Sequence, residues 1–127
     1  MHEYDVALKR MLTRPGSLVL TLLTGFAAIR WLNVELPRVN NRRVDLLGIQ
    51  QNGQLIHIEF QSRNEKDLAL RMAEYMFGIW RQHGQLPIQI VLYVGERPLR
   101  MKGSITAPGL AYEFHLIDVR QMDAAIP

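Results

Sequence analysis

The chain has 127 residues, 48 % of them hydrophobic, and a formal net charge of +3. That is enough apolar material for one core, which excludes a disordered tail, and 1–127 reads as a single domain. There is no cysteine, which excludes a disulfide framework, a zinc ribbon and thiol catalysis and fits a cytoplasmic protein. The four His (His2, His57, His83, His115) show no HxxxH or HxH spacing, so no His-rich metal site is expected. The basic residues are twelve Arg and three Lys. Arg grips phosphate and carboxylate bidentately, although a GC-rich genome would enrich it as well.

In chain order, Tyr4 to Leu12 reads as a helix, with Tyr4, Leu8, Met11 and Leu12 on one stripe. Pro15-Gly16-Ser17 breaks it and starts a second helix running to about Ile29. Its apolar run, Leu18 to Ile29, is twelve residues long, against about 20 for a membrane span, so it is expected to be a buried helix. Arg30 and Trp31 follow without a clean cleavage site, which argues against an export signal. Leu32 to Leu36 is a candidate short strand, and Arg43 to Gln50 and Leu55 to Gln61 are strands joined at Gln51-Asn52-Gly53.

Asn64 is a candidate N-cap for a helix carrying Leu68, Met72, Tyr75, Met76, Ile79 and Trp80. Met76 and Trp80 are expected in the core. Gly84 ends this helix. Ile88 to Val94 is nearly all apolar, as a central strand would be. Glu96 to Lys102 is a basic loop, and Ala111 to Val119 a last strand. The order α-α-(β)-β-β-α-β-β predicts an α/β mixed sheet flanked by helices.

The hairpin carries the chemistry. Along Leu55–Gln61, Ile56, Ile58 and Phe60 share the core face, while His57, Glu59 and Gln61 share the other. A two-residue loop would set Asp45 opposite Phe60, in the core. A three-residue loop with Gly53 left-handed pairs Gln50 with Gln54 and sorts the side chains: Asp45 faces Glu59, Leu46 faces Ile58 and Val44 faces Phe60. Two carboxylates with Cβ atoms about 5 Å apart repel each other, and a divalent cation would offset that repulsion. Gln61 lies on the same face, and Arg71 and Tyr75, four apart on the next helix, flank it. The alternative is a solvated face whose acids pair with Arg43 and Arg71. His57 shares the site face, but a lone His beside a sheet reads as structural.

The pattern of Asp45, thirteen intervening residues and then Glu59-Phe60-Gln61 on a hairpin, followed by an amphipathic helix, resembles the PD-(D/E)XK nuclease superfamily. Within it, RRVDLL at 42–47, HIEFQS at 57–62, RMAEYMFGIW at 71–80 and VLYVG at 91–95 are similar to the recombination-promoting nuclease or transposase branch, as is the opening HEYDVALKRML. The resemblance spans about residues 2–120. It implies a restriction-endonuclease-like fold and a Mg²⁺-dependent DNA endonuclease in which Mn²⁺ can substitute. Asp45 and Glu59 match its metal-binding acids, and Asp5 is the candidate for a third ligand on the first helix. Gln61 stands where the superfamily usually has Lys, and a neutral carboxamide can only hydrogen-bond. Lys66 or Lys9 could supply the missing charge. Arg71 and Tyr75 match the supporting polar pair.

DNA contacts are expected from Arg38, Arg42 and Arg43 and from Arg97, Arg100 and Lys102, as loop cations beside an acidic site suit phosphates. No base-reading motif is present. The partner is DNA, a homodimer is compatible with the reading, and neither a membrane nor an organic cofactor is implied. The alternative is a nuclease-like module that binds DNA or a protein without cleaving. Relatives often look longer, so a C-terminal extension beyond Ala-Ala-Ile-Pro is a further alternative.

Overall fold

In the computed structural model the described residues are 2–28, 30–32 and 44–122, with side chains described for 6–28, 30–32 and 44–121. The chain begins with α1 (His2–Thr13) and α2 (Leu18–Thr24). Ser17 joins them: its Oγ accepts the Leu20 N–H at 3.1 Å as the α2 cap and donates to the Met11 carbonyl at 2.8 Å. α2 stops at Gly25, left-handed at φ 78°, well short of Ile29. Leu20 and Leu23 are buried while Leu18 and Leu22 are exposed, so α2 is amphipathic rather than the buried helix expected from its run of apolar residues.

Next come β1 (Arg30–Trp31), β2 (Leu46–Ile49), β3 (Leu55–Gln61), α3 (Leu68–His83), β4 (Ile88–Tyr93), β5 (Ser104–Ala107), β6 (Leu110–Glu113), β7 (His115–Asp118) and α4 (Val119–Met122). The main sheet runs β1-β2-β3-β4-β7. β1, β2 and β3 pair antiparallel, whereas β3, β4 and β7 are parallel. This is a mixed α/β fold with helices packed on the sheet. Among the described residues no helix is long and apolar enough to cross a membrane.

Several boundaries differ from expectation. The strand expected at 32–36 is preceded by the two-residue β1, and 33–36 lie outside the described residues. The strand expected from Arg43 begins at Leu46. The expected last strand, 111–119, is divided at Phe114. β6 folds back on β5, β7 joins β4, and the Phe114 N–H is taken by the Gly103 carbonyl at 2.9 Å. Tyr112 and Phe114 are both buried, which period-two alternation within one outward-facing strand would also place on one side.

The β2–β3 register is the one alternation selects. Gln50 N–H bonds to Gln54 O at 2.9 Å, Gly53 takes φ 87°, and Leu46 pairs with Ile58. Ile56, Ile58, Ile90 and Leu92 pack with Leu46 beneath Leu8, Leu12, Leu20 and Leu23 of α1 and α2. Each such fully buried aliphatic side chain contributes about 1.5–3 kcal/mol.

The opposite face is not solvated. α3 covers it with Leu68, Met72, Tyr75 and Ile79 against Leu47, Leu55 and Val91, and Tyr112 and Phe114 extend that layer. His57, Glu59 and Gln61 are therefore buried, at 0 %, 6 % and 7 % exposure. α3 closes at Gly84, as its sequence indicates, with the Gly84 N–H on the Trp80 carbonyl at 2.8 Å. It starts at Asp67, not Asn64. Met76 packs partly buried against the core, but Trp80 is exposed and stacks on Phe77 at 6.4 Å.

Candidate functional site

The carboxyl ends of β3, β4 and β7 and the start of β2 lie at one edge of the sheet, where ligands of open α/β sheets usually bind. Asp45 immediately precedes β2 there, and Glu59 and Gln61 are near the end of β3. The two acids interlock. Glu59 Oε2 accepts the Asp45 N–H at 2.6 Å, and Asp45 Oδ2 accepts the Phe60 N–H at 3.0 Å. Each carboxylate thus satisfies a backbone donor of the other strand just where the regular ladder stops. The backbone turns at this point, so Val44 packs with the α3-side cluster rather than on Phe60's face as expected.

This interlock has an electrostatic cost. The Asp45 carboxyl is pushed up from 3.8 to about 6, first by burial and second by the Glu59 charge. The Phe60 N–H, the Lys9 ammonium from α1 and, least, His57 act in the opposite direction. Of the two lysines that could add charge here, Lys9 acts on the site, whereas Lys66 is exposed beside α3.

His57 is wholly buried behind Glu59. Its Nε2 lies 2.8 Å from Glu59 Oε2 and its Nδ1 3.1 Å from Gln89 Nε2. Gln89 also donates to the Met72 carbonyl at 2.9 Å and accepts from the Tyr112 hydroxyl at 2.6 Å. The Tyr112 hydroxyl is accordingly held protonated, its pKa raised by burial. Tyr75 is buried with its ring edge-on to His57 at 5.5 Å and 89°.

Gln61 and Arg71 form a second buried pair. Arg71 Nη2 donates to Gln61 Oε1 at 2.8 Å, Arg71 Nη1 to Glu65 Oε2 at 2.6 Å, and the Gln61 amide to the Arg63 carbonyl at 2.9 Å. Gln61 is thus bonded to Arg71 and Arg63 and to neither acid. The expected supporting pair divides: Arg71 holds Gln61, and Tyr75 packs on His57. The Asp5 side chain and the whole of Arg38, Arg42 and Arg43 lie outside the described residues.

A cleft of about 770 Å³ opens at the same edge, lined by Arg63, Asn64, Arg97 and Arg100. Its loop is tied down through the backbone. Tyr93 donates to the Arg97 carbonyl at 2.6 Å, and Asn64 bonds to Pro98 O at 3.0 Å and to Arg100 N at 2.7 Å. Arg120 donates to the carbonyls of Gly95 and Glu96. The Arg97 and Arg100 side chains stay exposed and make no ion pair among the described residues. Lys102 lines a neighbouring cleft of about 440 Å³ that shares Arg100. Asn64, expected to cap α3, instead organises this loop.

The sequence reading left out Gln89, Tyr112, Arg63 and Arg120. Gln89 had a signal, being a lone polar residue inside the apolar run IQIVLY. The other three had none.

Among the described residues no group of three or more His, Cys, Asp or Glu is arranged to hold a metal. Asp45 and Glu59 do suit a hard divalent cation: both are oxygen donors, they are confined together at a charge cost, and neither Asp45 Oδ1 nor Glu59 Oε1 accepts a hydrogen bond among the described residues. Mg²⁺ commonly takes one or two carboxylates and keeps several waters. Comparison with known proteins adds no relative: no family model, no curated protein and no solved structure matches the chain.

Proposed function

We propose that this protein is a Mg²⁺-dependent DNA endonuclease with a restriction-endonuclease-like PD-(D/E)XK core, similar to the recombination-promoting nuclease or transposase branch and acting in the cytoplasm. One observation carries the reading: the interlocked Asp45 and Glu59 share a sheet edge with an arginine-lined cleft. Asp45 and Glu59 would hold the cation, which, when bound, activates water and neutralises charge on the phosphoryl group. Arg97 and Arg100, on a loop already ordered before DNA arrives, and Arg63 from the β3–α3 connection contact backbone phosphates, so little loop entropy is lost on binding. The Arg71 guanidinium, held against Gln61, puts positive charge beside the position where the superfamily has Lys, with Glu65 offsetting part of it.

The test is nicking of supercoiled plasmid with Mg²⁺ or Mn²⁺. Wild-type protein should nick, and Asp45→Ala and Glu59→Ala should not. If no DNA form is cut under any divalent metal, the enzyme reading fails.

A second reading, a non-cleaving DNA-binding module, draws on Gln61, whose amide is committed to Arg63 and whose carbonyl is committed to Arg71. It predicts salt-dependent DNA binding that Asp45→Ala leaves unchanged.

A further inference from the structure

The buried polar chain behind Glu59 is more ordered than a core histidine needs. Its orientation can be worked out from the far end. The Met72 carbonyl can only accept, so the Gln89 group 2.9 Å from it is the amide nitrogen, which settles how that side chain is turned. The second hydrogen of the same nitrogen faces His57 Nδ1, 3.1 Å away. Nδ1 therefore presents a lone pair, and the imidazole proton is on Nε2, facing Glu59 Oε2 at 2.8 Å. The Tyr112 hydroxyl on Gln89 Oε1 completes the chain, and the Tyr75 ring closes on the imidazole from the side.

We infer that His57 is a positioning residue: an imidazole, locked by Gln89 and Tyr112 with its Nε2–H toward Glu59, that holds one oxygen of Glu59 and so turns the other toward the cation site shared with Asp45. Glu59 Oε2 receives two donors, His57 Nε2–H and Asp45 N–H, which leaves Oε1 as the oxygen for a ligand. The chain draws on β3, β4, α3 and β6, so the orientation of Glu59 is set by the packing of both layers on that face. Outer hydrogen bonds of this kind typically alter metal affinity 10–100-fold. The purpose assigned to the oriented oxygen rests on the metal-site reading above, but the tautomer lock does not.

Two measurements test it on the full chain. Long-range ¹H–¹⁵N spectra of the His57 ring should show a protonated Nε2 and a bare Nδ1, and Gln89→Leu should remove that fixed pattern. Calorimetric titration with Mn²⁺ should show about tenfold or more weaker binding in His57→Phe, which keeps the ring against Tyr75 but has no donor. His57→Gln, which can donate from the Nε2 position, should recover most of the affinity. Should His57→Phe fail to fold, Tyr112→Phe, remote from Glu59, should still weaken Mn²⁺ binding several-fold.

An Nδ1–H tautomer in the wild type overturns the inference, and so does a folded His57→Phe with wild-type Mn²⁺ affinity. If the wild type binds no Mn²⁺ at all, the metal-site reading falls, and the ring spectra alone decide whether the lock exists.

Discussion

Asp45→Asn should make the protein more stable while abolishing the proposed metal-dependent cleavage. The native fold favours the protonated form of Asp45, raising its pKa from 3.8 to about 6 through burial and the Glu59 charge. Below about pH 4 the group is protonated in both folded and unfolded chains and costs nothing. Between about pH 4 and 6 the folded state holds its proton longer, so stability falls as pH rises. Above about 6 the full penalty applies, about 3 kcal/mol from a shift of this size, taken as a ceiling because the site edge is partly exposed. Asn is uncharged, and its Oδ1 can still accept the Phe60 N–H.

The variant should therefore exceed the wild type by up to about 3 kcal/mol at pH 8, on the order of 10 °C in Tm, and match it near pH 4. Urea or thermal unfolding across that pH range measures the difference. Mg²⁺ should raise wild-type stability by about 2.7 kcal/mol at a hundredfold excess over Kd and leave Asp45→Asn unmoved. A variant less stable than wild type at pH 8, or a difference that does not change with pH, would refute the account of two carboxylates held together at a cost.

Other substitutions probe the remaining parts. Gly53→Ala should lose about 1 kcal/mol by chemical denaturation, because φ 87° is strained for any side chain bearing a Cβ, although the space there is open. Arg71→Met should cost about 3 kcal/mol, since it strips Gln61 and Glu65 of a buried charged donor, and Arg71→Lys should rescue little because one ammonium cannot reproduce the fork. The double variant Arg97→Ala/Arg100→Ala should weaken DNA binding, reduce the slope of log affinity against log salt by about one to two and leave Tm unchanged, as read by fluorescence anisotropy and thermal melts. Ile58→Ala should cost about 2–5 kcal/mol, because its side chain is fully buried under α1 and α2.

What was legible in the sequence followed from local periodicity. Alternation in Leu55–Gln61 set His57, Glu59 and Gln61 on one side, and the wish to keep Asp45 off the apolar face selected the three-residue loop that the Gly53 conformation bears out. The 3.6-residue stripe and Gly84 located α3 and its end. Period two says which side of a strand a residue occupies; it does not say what covers that side. Alternation alone therefore left a solvated polar face of β3 as an alternative, and α3 and the β5–β6 hairpin cover that face.

The rest depended on contacts far apart in sequence. Tyr112 reaches Gln89, Gln89 reaches both His57 and Met72, and Asn64 joins Pro98 and Arg100. Trp80 fits the apolar stripe of α3 yet is exposed and stacks on Phe77 instead. The sequence by itself determined that two carboxylates would face each other across a hairpin, since register follows from side-chain alternation and one loop glycine. Only the tertiary structure decided that Glu59 would be buried and Asp45 half-buried, the two interlocked through backbone donors and backed by an imidazole of defined tautomer. Burial and hydrogen-bond partnership depend on which element packs on a face, and no short stretch of sequence encodes that.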